Sequence, residues 1–332
     1  MTLPRRYSIY GVDFASDHAF SIPLAETGAE PALEFRLSVD PGAGLALTPQ
    51  ADETKLEELF RGTATFDDGR PLFRILTLGD GLLVRYEEVA DFHLHGSSIT
   101  ARVLDPAFVP ACEIYFLGTV LSVWFEWRGA LVLHGAAVSL AGKAAVFLGD
   151  KGAGKTTLTC GLLVRGAGLI ADDLTVCADS ARPWVPAAYP RLRLWPEQAE
   201  ALLQLRNLPP ILEGDDKRWA PVPPGSAGFM ARGAPLGTVY LLDRTEEARP
   251  VEIEPLGSAE SVVTMVRHSF VPNVAQALGL APGRLQRFTE IAHRFPVHAL
   301  RYGGPIEALG DVCDAVLQHA RDRSAVPGSR VD

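Results

Sequence analysis

The stretch Leu133–Thr157 reads LHGAAVSLAGKAAVFLGDKGAGKTT, and within it Gly149 to Thr156 satisfies the pattern G-x-x-x-x-G-K-[ST]. Such a loop needs an apolar strand to feed it and a helix to leave it. AAVFLGD ahead of it reads as a strand, and the segment from Lys155 to about Arg165 is predicted to be helical. An α/β core follows. Glycine lets backbone N–H groups turn inward around a phosphate with no Cβ in the way, and the helix N-terminus adds partial positive charge. Lys155 is thereby assigned to the β- and γ-phosphates, and the Thr156 hydroxyl to Mg²⁺. The expected nucleotide-binding set is Gly149, Asp150, Lys151, Gly152, Ala153, Gly154, Lys155, Thr156 and Thr157, with ATP and Mg²⁺ as cofactors. Three of the chain's five lysines, Lys143, Lys151 and Lys155, lie in this one stretch. Lys155 is explained by phosphate, Lys151 is expected to face water, and Lys143 is read as a turn residue.

Phosphoryl transfer also needs a carboxylate near the metal. GLIADDL offers Asp172 and Asp173 at the end of a short buried strand, one helix after the loop. Neighbours on a strand point to opposite faces, so one is free to hold Mg²⁺ while the other faces the acceptor. His134, in LVLHGAAV, lies in an apolar strand, where a histidine is more often a satisfied core residue. Its strand is predicted to pair, through a short hairpin at Ala141-Gly142-Lys143, with the strand that feeds the loop. That brings His134 towards the γ-phosphate.

Around this core, residues 1–110 read as a β-rich N-terminal domain: YSIYGVDF, LEFRLSV, LFRILTL, GLLVRYEEV and DFHLHG are short strand-like runs separated by Gly, Pro and Asp. His93 and His95 share one strand face, with no third metal ligand in view. From 111 to 323 the chain reads as a second domain that carries the phosphate loop, entered through the helical EIYFLGTVLSVWFEWRGA, and 324–332 as a frayed tail. The region from Pro183 to Gly233 is proline-rich, and PPILEGDDKRWAPVPPGSAGF within it reads as a stiffened surface loop with a cationic point at Lys217-Arg218.

Composition narrows the function. The chain has 332 residues, 47% of them hydrophobic, which suffices for a substantial core. A net charge of −9 argues against broad nucleic-acid binding, whose affinity comes largely from neutralised phosphates. Cys112, Cys160, Cys177 and Cys313 show no Cys-x-x-Cys spacing and read as buried, reduced thiols. MTLPRRYSIYGVDF has no apolar segment after its arginines, and no apolar run is read as reaching the roughly 18 residues of a membrane span. A cytoplasmic protein without a membrane partner is expected, with a homo-oligomer left open.

The run LHGAAVSLAGKAAVFLGDKGAGKTTL…RGAGLIADD resembles the catalytic core of HPr kinase/phosphorylase and its relatives, in which a histidine-glycine strand, a phosphate loop and an Asp-Asp strand follow in this order. Within that group the chain is most similar to the stand-alone HPr-kinase-like proteins found beside lasso-peptide and other modified-peptide genes. YSIYGVDFASD, ADFHLHGSSITARV, RGALVLHGAAV and PRLRLWPE carry that likeness. The resemblance implies a P-loop kinase core related to phosphoenolpyruvate carboxykinase and an activity towards serine. It implies Asp173 as the base that accepts the hydroxyl proton, with His134 beside it at the acceptor phosphate. Lys155 would be the phosphate ligand, Thr156 a metal ligand, and Asp172 is left to the metal. Two departures stand out. The family's loop usually carries Ser where Lys151 stands, and the Glu-x-Arg-Gly-x-Gly segment of the bifunctional members is not evident, which argues against a reverse phosphorylase reaction. Arg191 and Arg193 in PRLRLW are the candidates to replace it as a phosphate clamp.

The expected function is an ATP-dependent kinase acting on a serine hydroxyl of a peptide or small protein, such as a ribosomal precursor peptide, with Lys217 and Arg218 in a loop that closes over the acceptor. The alternatives are a small-molecule or carboxykinase-like phosphotransferase, and a nucleotide-operated binding module, which needs no base aimed at an alcohol.

Overall fold

The computed structural model describes residues 4–40, 56–178, 182–295 and 297–325. It divides into two compact units, one comprising the chain up to Arg128 together with Asn273–Ala281, the other Gly129–Pro272 and the chain from Pro282 onward.

In the first unit, nine strands form one sheet: β1 (Arg5–Ile9), β2 (Val12–Ser16), β3 (Ala25–Glu26), β4 (Leu33–Val39), β5 (Glu58–Arg61), β6 (Phe73–Leu78), β7 (Gly81–Tyr86), β8 (Ala90–His95) and β9 (Ser98–Val103). Their order is β3-β1-β2-β4-β9-β8-β7-β6-β5. Alternation sets the buried face: Leu33 and Phe35 of β4 point in while Glu34 and Arg36 point out. Helices α1 (Val109–Tyr115) and α2 (Leu121–Trp127) are joined by a π-helical turn at Phe116–Val120. This helical run packs in the same unit, with the Phe116 ring 3.9 Å from Phe35 and Tyr115 stacked on Tyr86 at 3.8 Å. The division of the chain therefore falls after Arg128 rather than at 110/111, because the helix buries its aromatic face on the strands that precede it.

Pro106–Trp127 is also the one helix among the described residues long and apolar enough to cross a membrane by length and composition. That corrects the reading that no run reaches this length. Glu113 and Glu126 are buried within it, and Glu113 accepts hydrogen bonds from the Ser21 amide and hydroxyl and lies 2.7 Å from His18 Nε2. A carboxylate satisfied in this way belongs to a core helix. His93 and His95 sit side by side as expected, with His95 paired to Asp80 at 2.9 Å. Among the described residues no group of three or more His, Cys, Asp or Glu side chains is placed to hold a metal.

The second unit carries the loop. Strands β10 (Leu131–Leu140) and β11 (Lys143–Leu148) form the predicted hairpin, closed by Ala141 and Gly142, both at positive φ (48° and 78°), as a two-residue turn of this hand requires. Lys143 is the first residue of β11 rather than part of the turn. After the loop come α3 (Lys155–Val164), β12 (Gly168–Ala171), β13 (Leu174–Cys177), β14 (Trp184–Val185), β15 (Arg191–Leu194), α4 (Pro196–Leu203) and β16 (Arg218–Pro221). The chain ends with β17 (Ala234–Thr245), β18 (Arg249–Pro255), α5 (Ser258–Arg267), α6 (Pro272–Ala277), which from Asn273 on belongs to the first unit, and then α7 (Ala281–Arg294), β19 (Val297–Gly303) and α8 (Leu309–Ala325). The main sheet runs β12-β10-β11-β17-β19-β18, with β13 continuing beside β10 and β14 beside β17. β11, β17 and β19 are mutually parallel. The loop thus opens at the carboxyl ends of parallel strands, where ligands bind in sheets of this kind.

Phe147 stacks on Tyr240 in the sheet, and Leu158, Leu162, Val312 and Val316 from α3 and α8 cover them. All four cysteines are buried and unpaired, and burial pushes the Cys160 and Cys177 thiols up to about 12. Two expectations change. β16 pairs with β15, so Arg218 lies in a strand rather than a loop. Helix α8 runs through the first two positions of the expected tail to Ala325, and the rest of that tail lies outside the described residues.

Candidate active site

The loop between β11 and α3 takes the shape its glycines allow. Gly152 and Gly154 sit at φ 90° and 89°, and a Cβ on Gly154 would stand 3.3 Å from the Tyr302 hydroxyl. Lys155 opens α3, and its Nζ folds back to donate to the carbonyls of Gly149 (2.8 Å) and Asp150 (3.3 Å). It is buried, and that desolvation lowers its pKa against the pull of Asp173. Lys151 is exposed, as expected, and Thr156 and Thr157 are half-buried in the first turn of α3.

Asp172 and Asp173 occupy the kink between β12 and β13. Asp173 has φ 78°, so the two do not simply alternate across a strand. Gly135 faces this kink: its amide donates to the Asp173 carbonyl at 3.1 Å, and a Cβ there would come within 2.8 Å of the Phe147 carbonyl. The glycine after His134 is therefore a packing requirement of the β10–β11 pair.

The two carboxylates have different partners. Asp172 is buried; Oδ1 accepts from the Thr156 hydroxyl at 2.8 Å and Oδ2 from the Arg193 amide at 2.9 Å. Burial raises its pKa, with the neighbouring Asp173 charge adding to the effect. Asp173 is partly exposed; Oδ2 accepts from the Arg193 guanidinium at 2.9 Å, and Oδ1 lies 3.6 Å from His134 Nδ1. His134 is held below the usual histidine value by desolvation, opposed by Asp173 and reinforced by Lys155, Lys217 and Arg193. Arg193 stays charged despite its burial because Tyr189, Asp173 and Asp172 surround it; it donates to Tyr189 Oη at 3.0 Å and lies over the Trp219 ring.

The four cationic candidates separate. Arg193 is part of the cluster, whereas Arg191, two residues earlier on β15, is not drawn into it. Lys217 stands close enough to act electrostatically on both His134 and Lys155. Arg218 instead donates to the carbonyls of Asp215 and Lys217, which makes it a brace for its own turn.

Several residues at the site escaped the sequence reading. Arg267 pairs with Asp150 at 2.8 Å, His268 approaches the same carboxylate at 4.0 Å, and the His268 carbonyl accepts from the His134 amide at 2.7 Å. The end of α5 thus props both the loop and the His134 strand. Nothing in RHSF announces this, because the contact spans more than a hundred residues of chain. Tyr189 and Trp219 flank Arg193 in YPRLRLW and KRW, an aromatic frame visible only once β15 and β16 are paired.

Thr156 and Asp172 form a hydroxyl–carboxylate pair at the mouth of the loop, a hard-oxygen set of the kind that holds Mg²⁺ with nucleotide phosphates and water completing its shell. The site's chemistry fits that ion.

No protein-family model matches the chain, and no curated protein matches it. Among solved structures the chain is similar to the Hpr(Ser) kinase/phosphatase from Coxiella burnetii, at 11% identity and a TM-score of 0.30, over 59% of this chain and 99% of that one. At that identity and that score the likeness assigns no role to any residue.

Proposed function

We propose that the chain is an ATP-dependent kinase that transfers a γ-phosphate to a serine hydroxyl of a peptide or small protein. One observation supports the reading: Asp173 is partly exposed and flanked by His134 and Arg193, while the neighbouring Asp172 is buried and bonded to the Thr156 hydroxyl at the start of α3, which leaves separate carboxylates for the acceptor and for a metal. A hydrolytic switch needs no such second carboxylate.

In the proposed reaction the loop amides and Lys155 bind the phosphates, and Arg193 and Lys217 supply further positive charge on the acceptor side. Mg²⁺, held by Thr156 and Asp172, would neutralise charge on the phosphoryl oxygens. Asp173 takes the proton from the incoming serine Oγ as that oxygen bonds to the γ-phosphorus and the bond to the β-phosphate oxygen breaks, leaving ADP. His134, held below its usual value by its surroundings, adds no second cation to the salt bridge that Asp173 already makes with Arg193. That Asp173 and His134 are partly open to solvent while Asp172 is sealed suits an acceptor presented from outside, as on a peptide.

The test is mass spectrometry of serine-containing precursor peptides and small proteins after incubation with the chain, Mg²⁺ and ATP. A phosphoserine product, absent with Asp173→Asn, is expected. Hydrolysis of ATP with no acceptor ever phosphorylated would overturn the reading.

A further inference from the structure

Lys143 plays no part in the chemistry above, and its place in the fold gives it another use. It opens β11 at the end away from the phosphate loop; at about 3.3 Å per residue it lies roughly 16 Å from Leu148, where the strand enters that loop. In the parallel β11–β17 ladder Ala144 pairs with Leu236 and Ala145 with Thr238, so Gly237 is skipped. A bulge of this kind re-aims the side chains beside it. The glycine is needed there, since a Cβ on Gly237 would stand 2.7 Å from Lys143 Cβ and 3.3 Å from its Cδ. The Lys143 stem thus lies across Gly237, and both residues line a cavity of about 440 Å³. Arg294 in the last turn of α7 and Arg323 in the last turn of α8 line it too, over a buried apolar floor of Leu140, Ala144 and Ala145. No Asp or Glu is among its described lining residues. In a chain with 40 acidic against 31 basic residues, three cations around one cavity without a carboxylate run against composition. The two arginines have a local reason to be there, because cations suit helix C-termini. Lys143, on a strand, has none.

We infer that this cavity binds a small organic oxyanion, a carboxylate or a phosphate monoester, with its charged head on Lys143, Arg294 and Arg323 and its carbon body over the apolar floor. The volume falls within the range of ligand pockets, roughly 300–1,000 Å³. Guanidinium forks match the paired oxygens of either head, and the lysine adds a point charge. The site stands apart from the phosphate loop and does not depend on the nucleotide reading. Arg323 also donates to His298 Nε2 at 3.3 Å, so an anion that draws on Arg323 is felt at that imidazole. His134 lies at the other site and reports on the loop instead.

The experiment titrates phenyl phosphate, benzoate and the neutral benzyl alcohol into the full chain, read by calorimetry and by NMR of the imidazoles, for wild type, Lys143→Gln and Lys143→Arg. At least one of the two anions is expected to bind about tenfold or more tighter than benzyl alcohol and to shift the His298 signals. The tighter of the two identifies the head group. Lys143→Gln should weaken that anion by about tenfold, as for one charge-assisted hydrogen bond, and lose most of the His298 response, whereas Lys143→Arg keeps both. Anions that bind no better than benzyl alcohol, a response at His134 alone, or wild-type affinity in Lys143→Gln would overturn the assignment.

Discussion

The Thr156 hydroxyl donates to Asp172 Oδ1 at 2.8 Å, which joins the first turn of α3 to the kink after β12 through a carboxylate sealed from water. Because burial raises the Asp172 pKa, the contribution of this group to stability is present at acid pH and is lost as pH rises through its folded value. At neutral pH, without a cation, burying this carboxylate weakens the fold. Asp172→Asn should therefore melt a few degrees higher than wild type in metal-free buffer, roughly the effect of about 1 kcal/mol, and should gain less from Mg²⁺·ATP. Thermal melts with and without Mg²⁺ decide it; a wild-type increment in the variant would remove Asp172 from the metal position.

Asp173 makes a different prediction. Its loss as a base should reduce transfer by about 10²–10⁴-fold, with ATP affinity and Mg²⁺ requirement kept, whereas Asp172→Asn should raise the Mg²⁺ requirement. Titrating Mg²⁺ at saturating ATP separates the two variants. Superimposable titrations would mean that the carboxylates share one role.

Lys155 closes on the carbonyls of Gly149 and Asp150, so its removal leaves those carbonyls to water rather than opening a core cavity. Lys155→Ala should lose most transfer while its melting temperature stays within about 2 °C of wild type. Wild-type transfer by the purified variant would displace the phosphate site from this loop.

Lys217 and Arg218 should part company. Lys217 helps hold His134 below its usual value, so Lys217→Ala should raise the His134 pKa, read by NMR of the imidazole, and weaken transfer. Arg218→Ala should leave the His134 titration unchanged and cost only about 0.5–1 kcal/mol of stability. A His134 titration that moves equally in both variants would refute this division.

The His134 environment also sets a pH limit. Its depressed folded pKa means that stability from this group is present above the unfolded value of about 6.5 and falls away as pH drops through the folded value. Over the same range a protonated His134 would pair with Asp173 and blunt it as a base. Transfer should keep its neutral-pH rate down to below pH 6.5 and then decline; a decline already centred above that value would contradict the neutral histidine.

Much of the site was legible in the chain because it is local. Gly149–Thr156, the hairpin at Ala141–Gly142 and the Asp172–Asp173 pair sit within one contiguous strand–loop–helix–strand run, where pattern and turn chemistry act over a few residues. What was hidden depends on pairing between distant segments. The β15–β16 ladder sends Lys217 to the site and turns Arg218 back on itself, and no feature of an adjacent Lys-Arg dipeptide separates the two. Arg267 and His268 reach Asp150 only after β17, β18 and α5 have folded between them. The helix from Pro106 to Trp127 shows the converse: its apolar character was plain, but which unit would bury it depended on the aromatic partners Phe35 and Tyr86.

The four buried cysteines have a practical consequence. Each thiol is shielded and pushed away from the thiolate form, and the chain has no other cysteine. A single cysteine introduced on the exposed face of the loop, as in Lys151→Cys, would then be the one fast-reacting thiol in the native protein. A maleimide fluorophore attached there would report changes in the surroundings of the loop in real time, with no need to strip the native sulfurs first.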